Sequence, residues 1–218
     1  MDSRFANPGD QGPFLYYGGT GGTHTLENDF VVVDVETSGL KPSDGARVIE
    51  IAAVRINPAG QEIDSMSTLI NPGNSNTGAD WIHGISSQMI ADAPKFDEIF
   101  NELARVMDGA IFVAHHAKFD EGFVASEARH NGIELNQMPG LCTYWLSRRT
   151  VTTTANHKLG TLAEHFGITQ EGAHSALDDA RVVAKMLPKM LALHEPLTYF
   201  SKPVSQPLIL ANAQLLPR

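Results

Sequence analysis

The hydrophobic pattern of the first half of the chain predicts three consecutive strands. Residues 30–35 form a continuous apolar, β-branched run, which is typical of a buried strand. Two further apolar runs cover residues 47–56 and 63–70. The sequence Asn57-Pro58-Ala59-Gly60 between them is a strong turn signal and favours an antiparallel pair.

From residue 97 onward the pattern alternates between helices and strands. Apolar residues at helical spacing predict a helix over 97–107, and a strand is predicted over 110–114. The remaining predicted elements are a helix over 118–129, a short strand over 140–143, a helix over 159–166 and a helix over 175–194. Pro188 is expected to kink or shorten the last helix, because it removes a backbone donor and clashes with the preceding turn.

The two ends of the chain differ from the central domain, which we place at residues 29–195. Residues 1–28 are rich in glycine and lack apolar periodicity, which predicts a flexible N-terminal arm. Residues 196–218 mix prolines with apolar residues. Two interpretations of this C-terminal tail stay open: it packs along the domain, or it binds a partner.

Composition supports one globular domain. The 218 residues are 42% hydrophobic and 19% charged, as in ordinary soluble domains. No apolar stretch reaches the roughly 18 to 20 residues that cross a membrane, and the first 28 residues do not resemble a signal peptide, so we expect a cytoplasmic location. The single cysteine, Cys142, excludes an internal disulfide and a thiolate metal site. Any metal should therefore have oxygen ligands.

The net charge of −9 argues against a broad basic surface for nonspecific duplex binding. It does not exclude an enzyme that acts on nucleic acid. Carboxylates gathered at one site would account for part of the charge, and bound divalent cations would present a positive surface to a phosphate.

Three separate segments carry acidic residues next to apolar runs. Asp34 and Glu36 are two apart in a predicted strand, so both side chains project from the same face. Two adjacent carboxylates favour a cation such as Mg²⁺ or Mn²⁺, although this pattern is also common at strand ends without one. Asp120 lies in the first turn of a predicted helix, where the helix dipole alone favours an acid. His174 precedes the last helix and Asp179 lies inside it, which suits a general base and a metal ligand respectively.

The segments that carry these residues resemble a known family. VVVDVETSGL, AHHAKFDEGF and HSALDDA closely resemble the three motifs of the DEDDh group of DnaQ-like exonucleases. VIEIAAVRI, WIHGIS and HKLGTLAEHFGI also match, so the resemblance covers about residues 29–193. It implies an α/β, ribonuclease-H-like fold with a mixed five-stranded sheet flanked by helices.

The resemblance also implies a site and a reaction. Asp34, Glu36, Asp120 and Asp179 would bind two divalent ions, Mg²⁺ or Mn²⁺, and His174 would be the general base. A histidine five residues before the last aspartate marks the histidine subgroup. The implied activity is that of a metal-dependent 3′-5′ exonuclease, which hydrolyses the terminal phosphodiester at a 3′ end and releases nucleoside 5′-monophosphates by a two-metal mechanism.

Further residues are expected on the substrate side. By the same resemblance, Thr37 lies where the terminal nucleotide enters, and His83-Gly84-Ile85 lines the nucleoside pocket. His116 stands where many relatives have asparagine, so its hydrogen bonding to substrate would depend on its protonation. Glu50 matches an acidic position of the second strand, but we leave it outside the catalytic set, since it equally suits a structural role.

A small basic stretch contains Arg148, Arg149 and Lys158 in a segment whose polar composition predicts a loop. This loop either contacts the nucleic-acid backbone or is an ordinary solvated loop.

Three functional hypotheses follow. The leading one is a proofreading or repair exonuclease that acts on single-stranded 3′ ends of DNA, with a DNA polymerase or a repair complex as a possible partner. The alternative within the same superfamily is an RNA-trimming or oligoribonuclease-like enzyme. A catalytically silent module that binds nucleic acid or a polymerase is less favoured, because all five catalytic positions are present.

Overall fold

The computed structural model describes residues 6–18, 23–24, 28–170, 174–194, 198–199, 205–209 and 213–218. Its strands are β1 (Leu15–Tyr17), β2 (Thr23–His24), β3 (Phe30–Thr37), β4 (Val48–Ile56), β5 (Glu62–Leu69), β6 (Ile111–Ala114), β7 (Met138–Cys142) and β8 (Thr198–Tyr199). Its helices are α1 (Asp80–His83), α2 (Ser87–Ala91), α3 (Phe96–Met107), α4 (Ala117–His130), α5 (Thr143–Thr150), α6 (Leu159–His165) and α7 (Ala176–Leu191).

The main sheet is mixed and has six strands in the order β1-β7-β6-β3-β4-β5. β3, β4 and β5 form an antiparallel meander, whereas β6, β7 and β1 add in parallel on the other side of β3. Helix α7 packs on β3 and β4 and contacts α5 and α6, while α3 and α4 form a second group of helices. Residues 31–33 of β3 are fully buried, as expected for a central strand covered on both faces. The α/β class with a sheet flanked by helices is confirmed.

The sixth strand corrects the expectation of a five-stranded sheet and of a wholly flexible N-terminal arm. β1 pairs in parallel with β7, and Phe14, Leu15 and Tyr17 are buried. A three-residue apolar run between glycine-rich stretches is too short to show periodicity, so the sequence pattern did not reveal it. Residues 1–5, 19–22 and 25–27 of the predicted arm lie outside the described residues.

The other predicted strands and the four predicted helices are present within a few residues of their expected bounds, whereas α1, α2 and α5 were not predicted. Arg148 and Arg149 lie on α5 rather than in a loop, because the helix extends to Thr150. Pro188 lies inside α7, which ends at Leu191, three residues before the predicted bound.

Residues 205–209 and 213–218 of the tail pack along the domain, whereas β8 pairs with β2 in a separate two-stranded sheet. The Ile209 backbone exchanges hydrogen bonds of 2.6 and 2.7 Å with the Asn101 side chain on α3. The Ala213 amide donates to the Glu98 carbonyl at 2.9 Å, and the Leu69 amide at the end of β5 donates to the Leu216 carbonyl at 2.8 Å. Of the helices in the described ranges, none combines the length and the apolar character needed to cross a bilayer.

Candidate metal centre and active site

Three carboxylates meet where the carboxyl end of β3 approaches the first turns of α7. Asp34 and Glu36 share one face of β3, and Asp179 follows the Ser175 N-cap of α7. One ligand atom from each of the three lies within 4.8 Å of the others. The pairing of β3 with β4 shifts register directly after Glu36, so the regular ladder ends at this acidic pair. The spacing of two along the strand thus places both side chains in one group.

Asp120 borders this group from helix α4. It is buried and lies in the first turn of α4, as the helical pattern of the sequence predicted. Burial raises the pKa of Asp120 to about 8, and hydrogen bonds from backbone N–H groups, including that of Val35, oppose the rise. Its charge also acts on Asp34, although Asp120 is not one of the three residues that share the 4.8 Å group.

Crowding of buried carboxylates shifts their proton affinity upward. Burial, followed by the charges of neighbouring carboxylates with Asp120 first, raises the pKa of Asp34 well above its ordinary value. Burial also raises the pKa of Glu36 to about 8, with Glu50 and Asp179 adding to the rise. Burial and mutual repulsion thus favour the protonated forms of these carboxyls, and a divalent cation would compete with their protons.

The donor set fits hard divalent cations. Asp34, Glu36 and Asp179 offer carboxylate oxygens, the ligands that Mg²⁺ and Mn²⁺ prefer. The Gln170 side chain donates from Nε2 to Asp179 Oδ1 at 2.6 Å. This bond orients one carboxylate and leaves its other oxygen available to a metal.

His174 lies in the turn directly before α7 and is exposed. His174 donates its backbone N–H to Asp179, and this bond opposes the rise that burial causes in the pKa of that carboxyl. Its φ of 69° is the only positive φ of a non-glycine residue in the described ranges. The turn thus holds an imidazole beside the acidic group, on the side that solvent reaches.

The predicted substrate residues have contacts that shape the loops near the site. The Thr37 hydroxyl donates to the Gly39 carbonyl at 2.7 Å. His83 is buried at the end of α1, with Nε2 3.1 Å from the Thr77 carbonyl and Nδ1 accepting from the Ile85 amide at 3.1 Å. His83 therefore fixes the shape of its own segment. Contact of these residues with a nucleotide stays a prediction.

The His116 ring lies 4.4 Å from the Tyr144 ring, centroid to centroid, with a tilt of 34°. Partial desolvation lowers the pKa of His116 below its usual value. The ring is therefore neutral near pH 7, with one nitrogen that donates and one that accepts.

Sequence reasoning left three contributors to this region outside the site. Glu50 lies directly opposite Glu36 in the β3–β4 pairing and accepts a hydrogen bond from the Ala176 amide at 3.1 Å. Its resemblance to an acidic family position was the available signal. Gln170 and Arg218 gave no signal, because their contacts with Asp179 and Glu50 depend on the folded chain.

A mixed sheet flanked by helices, with carboxylates gathered at the end of its central strand β3, fits the class of metal-dependent nucleases. The exonuclease family described as RNase_T matches residues 31–187, and the chain belongs to this family. The resemblance to DEDDh exonucleases seen in the motifs is confirmed.

Several curated proteins are similar to the chain at 36% identity. The similarity to a DNA polymerase III PolC-type protein from Caldanaerobacter subterraneus subsp. tengcongensis extends over 168 residues, 77% of this chain and 12% of that protein. The similarity to the 3′-5′ exonuclease DinG of Bacillus subtilis covers 78% of this chain and 18% of that protein. A DNA polymerase III subunit epsilon-like protein of Rhodobacter capsulatus is covered to 23% of its length, against 74% of this chain. The chain thus spans less than a quarter of these relatives.

Solved structures share the fold at low sequence identity. The nuclease domain of 3′hExo, a DEDDh family member bound to rAMP, superposes with a TM-score of 0.64 at 15% identity, over 82% of this chain and 100% of that one. Exonuclease X in complex with 5′ overhanging duplex DNA gives a TM-score of 0.60 at 24% identity, over 75% of this chain and 91% of that one.

Proposed function

We propose that the chain is a metal-dependent 3′-5′ exonuclease that removes nucleoside 5′-monophosphates from single-stranded 3′ ends, with DNA as the favoured substrate. The observation that carries this proposal is the group formed by Asp34, Glu36 and Asp179 within 4.8 Å. Buried Asp120 and exposed His174 flank that group. A shared site of like charges is unfavourable by itself, so its natural occupant is a divalent cation.

The chain's own residues divide the work. Asp34, Glu36, Asp120 and Asp179 would hold two divalent ions, Mg²⁺ or Mn²⁺. Bound there, such ions supply charge stabilisation for the phosphate and lower the pKa of water. His174 accepts the proton of the attacking water, a role that suits an imidazole near neutral pH. Because His174 is exposed in its turn, water and a 3′ end can reach it.

The choice of DNA rests on the relatives. Two of the similar proteins are named as DNA polymerase III types, which supports a DNA substrate, a role in proofreading or repair and an association with a DNA polymerase. The rival reading is an RNA-trimming exonuclease, supported by a fold neighbour described as a 3′-exonuclease that recognises a histone mRNA stem-loop. The carboxylate group itself does not depend on the sugar, so the two substrates must be compared directly.

The test is digestion of 5′-labelled single-stranded DNA and RNA of identical sequence with Mg²⁺ or Mn²⁺. EDTA and Asp34→Ala serve as controls. We expect a metal-dependent ladder that shortens from the 3′ end, with DNA degraded faster. Faster degradation of RNA would favour the trimming enzyme. A folded protein that binds the oligonucleotides and cleaves neither would favour the silent binding module.

A further inference from the structure

Arg218 reaches the edge of the acidic site and forms a bidentate ion pair with Glu50. Its Nε lies 2.9 Å from Glu50 Oε1, and its Nη2 lies 2.9 Å from Oε2. The Glu50 side chain is fully buried, and the Arg218 side chain is 18% exposed. A planar guanidinium matches a carboxylate in this geometry, and a buried carboxylate without such a partner would be costly.

The same guanidinium also donates to two backbone carbonyls. Nη1 donates to the carbonyl of His83 and Nη2 to the carbonyl of His174. Arg218 therefore joins β4, the end of α1 and the turn before α7, three segments that the sequence separates widely. Two of these carry residues of the candidate site.

The His174 turn is held from both sides by this ion pair. Arg218 binds the His174 carbonyl, and Glu50 binds the Ala176 amide at 3.1 Å. A non-glycine residue at a φ of 69° persists only where surrounding contacts impose the conformation. The Arg218–Glu50 pair supplies such contacts on each side of Ser175.

The positive charge of Arg218 also suits its position beside Glu50. Glu50 and Glu36 are directly opposite on neighbouring strands, where like charges repel. The Arg218 guanidinium, paired with Glu50, reduces that repulsion and leaves the oxygens of Asp34, Glu36 and Asp179 available to a metal ion. The segment that brings Arg218 here is anchored on β5, where the Leu216 amide donates to Thr68 Oγ1 at 2.8 Å.

We propose that Arg218 is a positioning residue of the nuclease site: through the His174 carbonyl and through Glu50 it holds the turn that presents His174 and begins helix α7. The proposal rests on the proposed exonuclease function, in which His174 accepts the proton of water. Arg218 acts on the reaction through His174 and does not itself touch the substrate.

The test compares Arg218→Ala and Arg218→Lys with Arg181→Ala as a matched control, since Arg181 also forms an ion pair, with Glu62 at the surface. We expect kcat of Arg218→Ala on a 5′-labelled oligonucleotide to fall about 10- to 100-fold, as when outer partners of metal ligands are removed, with KM nearly unchanged. Added guanidinium ion should restore part of kcat in Arg218→Ala and nothing in His174→Ala. Arg218→Lys should lose less, and Arg181→Ala should keep the wild-type rate.

Amide hydrogen exchange gives a readout that does not need activity. Exchange at residues 174–176 should be about tenfold faster in Arg218→Ala than in wild type, because that turn loses its anchor. Unchanged exchange and unchanged kcat would overturn the proposal. A rise in kcat would also overturn it, since the segment would then obstruct the site rather than order it. If wild type cleaves nothing, the exonuclease function fails, and unchanged exchange would still reject the anchoring by Arg218.

Discussion

Asp120 and Glu121 are neighbours on helix α4, and both are buried, yet their surroundings are opposite. Glu121 accepts three hydrogen bonds: from the Phe14 amide at 2.9 Å, the Leu15 amide at 2.6 Å and the Tyr17 hydroxyl at 2.8 Å. Asp120 instead faces the acidic group of β3 and α7, where its charge raises the pKa of Asp34 in addition to the effect of burial.

The comparison shows that burial of a carboxylate does not by itself mark a functional site. Glu127, also on α4, is buried and receives the Arg47 guanidinium through two hydrogen bonds of 2.7 Å. Glu121 and Glu127 are satisfied by the protein and connect segments of the fold. The carboxylates around Asp34 have mainly other carboxylates as neighbours. Their ionised forms therefore repel one another, and a bound cation would reduce that repulsion.

The largest expected effect comes from removing one charge of the acidic group. Asp34→Asn should reduce the exonuclease rate by about 10³-fold or more, because a metal ligand is lost. The metal-free variant should be at least as stable as wild type, because a neutral amide replaces a buried carboxyl whose ionised form is disfavoured by burial and by its neighbours. The exonuclease rate with divalent metal measures the first effect, and urea unfolding in EDTA measures the second. A clear loss of metal-free stability would show that Asp34 is structural, as Glu121 is.

The opposite result is expected for Glu121. Glu121→Ala leaves two buried amides and a hydroxyl without their acceptor, at about 1 to 3 kcal/mol for each unpaired group, so unfolding free energy should fall by about 3 kcal/mol or more. The folded fraction should keep its kcat. Gly12→Ala is a matched variant, because a Cβ at Gly12 would lie 2.0 Å from Glu121 Oε2 and displace it. Loss of kcat in either variant while it is folded would contradict the distinction between a structural Glu121 and the functional acidic group.

The site was predictable from sequence to the extent that it is local. Strand periodicity places Asp34 and Glu36 on one face, and the helical pattern places Asp120 and Asp179 in first turns, whereas their common site is what the resemblance of the motifs implies. Those patterns are set within a few residues, and the motifs they form also led to the α/β fold. The contacts of Arg218, Gln170 and Glu121 are different, because tertiary packing alone determines which group each side chain meets.

The same distinction explains the errors in the predicted fold. β1 contributes only three residues to the sheet, and its parallel partner β7 lies more than a hundred residues away. Helices α1 and α2 have four and five residues, too few for helical periodicity to be recognised. By contrast, β3 is a continuous β-branched run, and its identity is evident without its neighbours.

A smaller effect should appear in the pH dependence of metal-free stability. The pKa of Glu36 is about 8 in the folded protein, above its ordinary value, so the folded state binds more protons than the unfolded state between about pH 4.5 and 8. Stability from this group is therefore present at low pH and is lost as pH rises through 8. Divalent ions should reverse the trend.

Calorimetric titration at pH 7 in buffers of different ionisation enthalpy measures this exchange directly. We expect metal binding to release about one to two protons per molecule, because Glu36 and Asp120, whose pKa values are both about 8, must ionise to coordinate it. Asp34→Asn should reduce both the metal affinity and the proton release. Metal binding without proton release would mean that these carboxylates are already ionised, as surface groups are.

The smallest effect is expected at His116, the N-cap residue of α4, which is not among the predicted metal ligands. Its lowered pKa keeps the ring neutral near pH 7, where it donates and accepts one hydrogen bond each, as an asparagine amide also can. His116→Asn should therefore keep the exonuclease rate within about threefold. His116→Ala, which removes the hydrogen bonds and the contact with Tyr144, should lose more. Near-complete inactivity of a folded His116→Asn would instead place the imidazole among the groups that perform the chemistry, and the division between the acidic group and its supporting residues would have to be drawn differently.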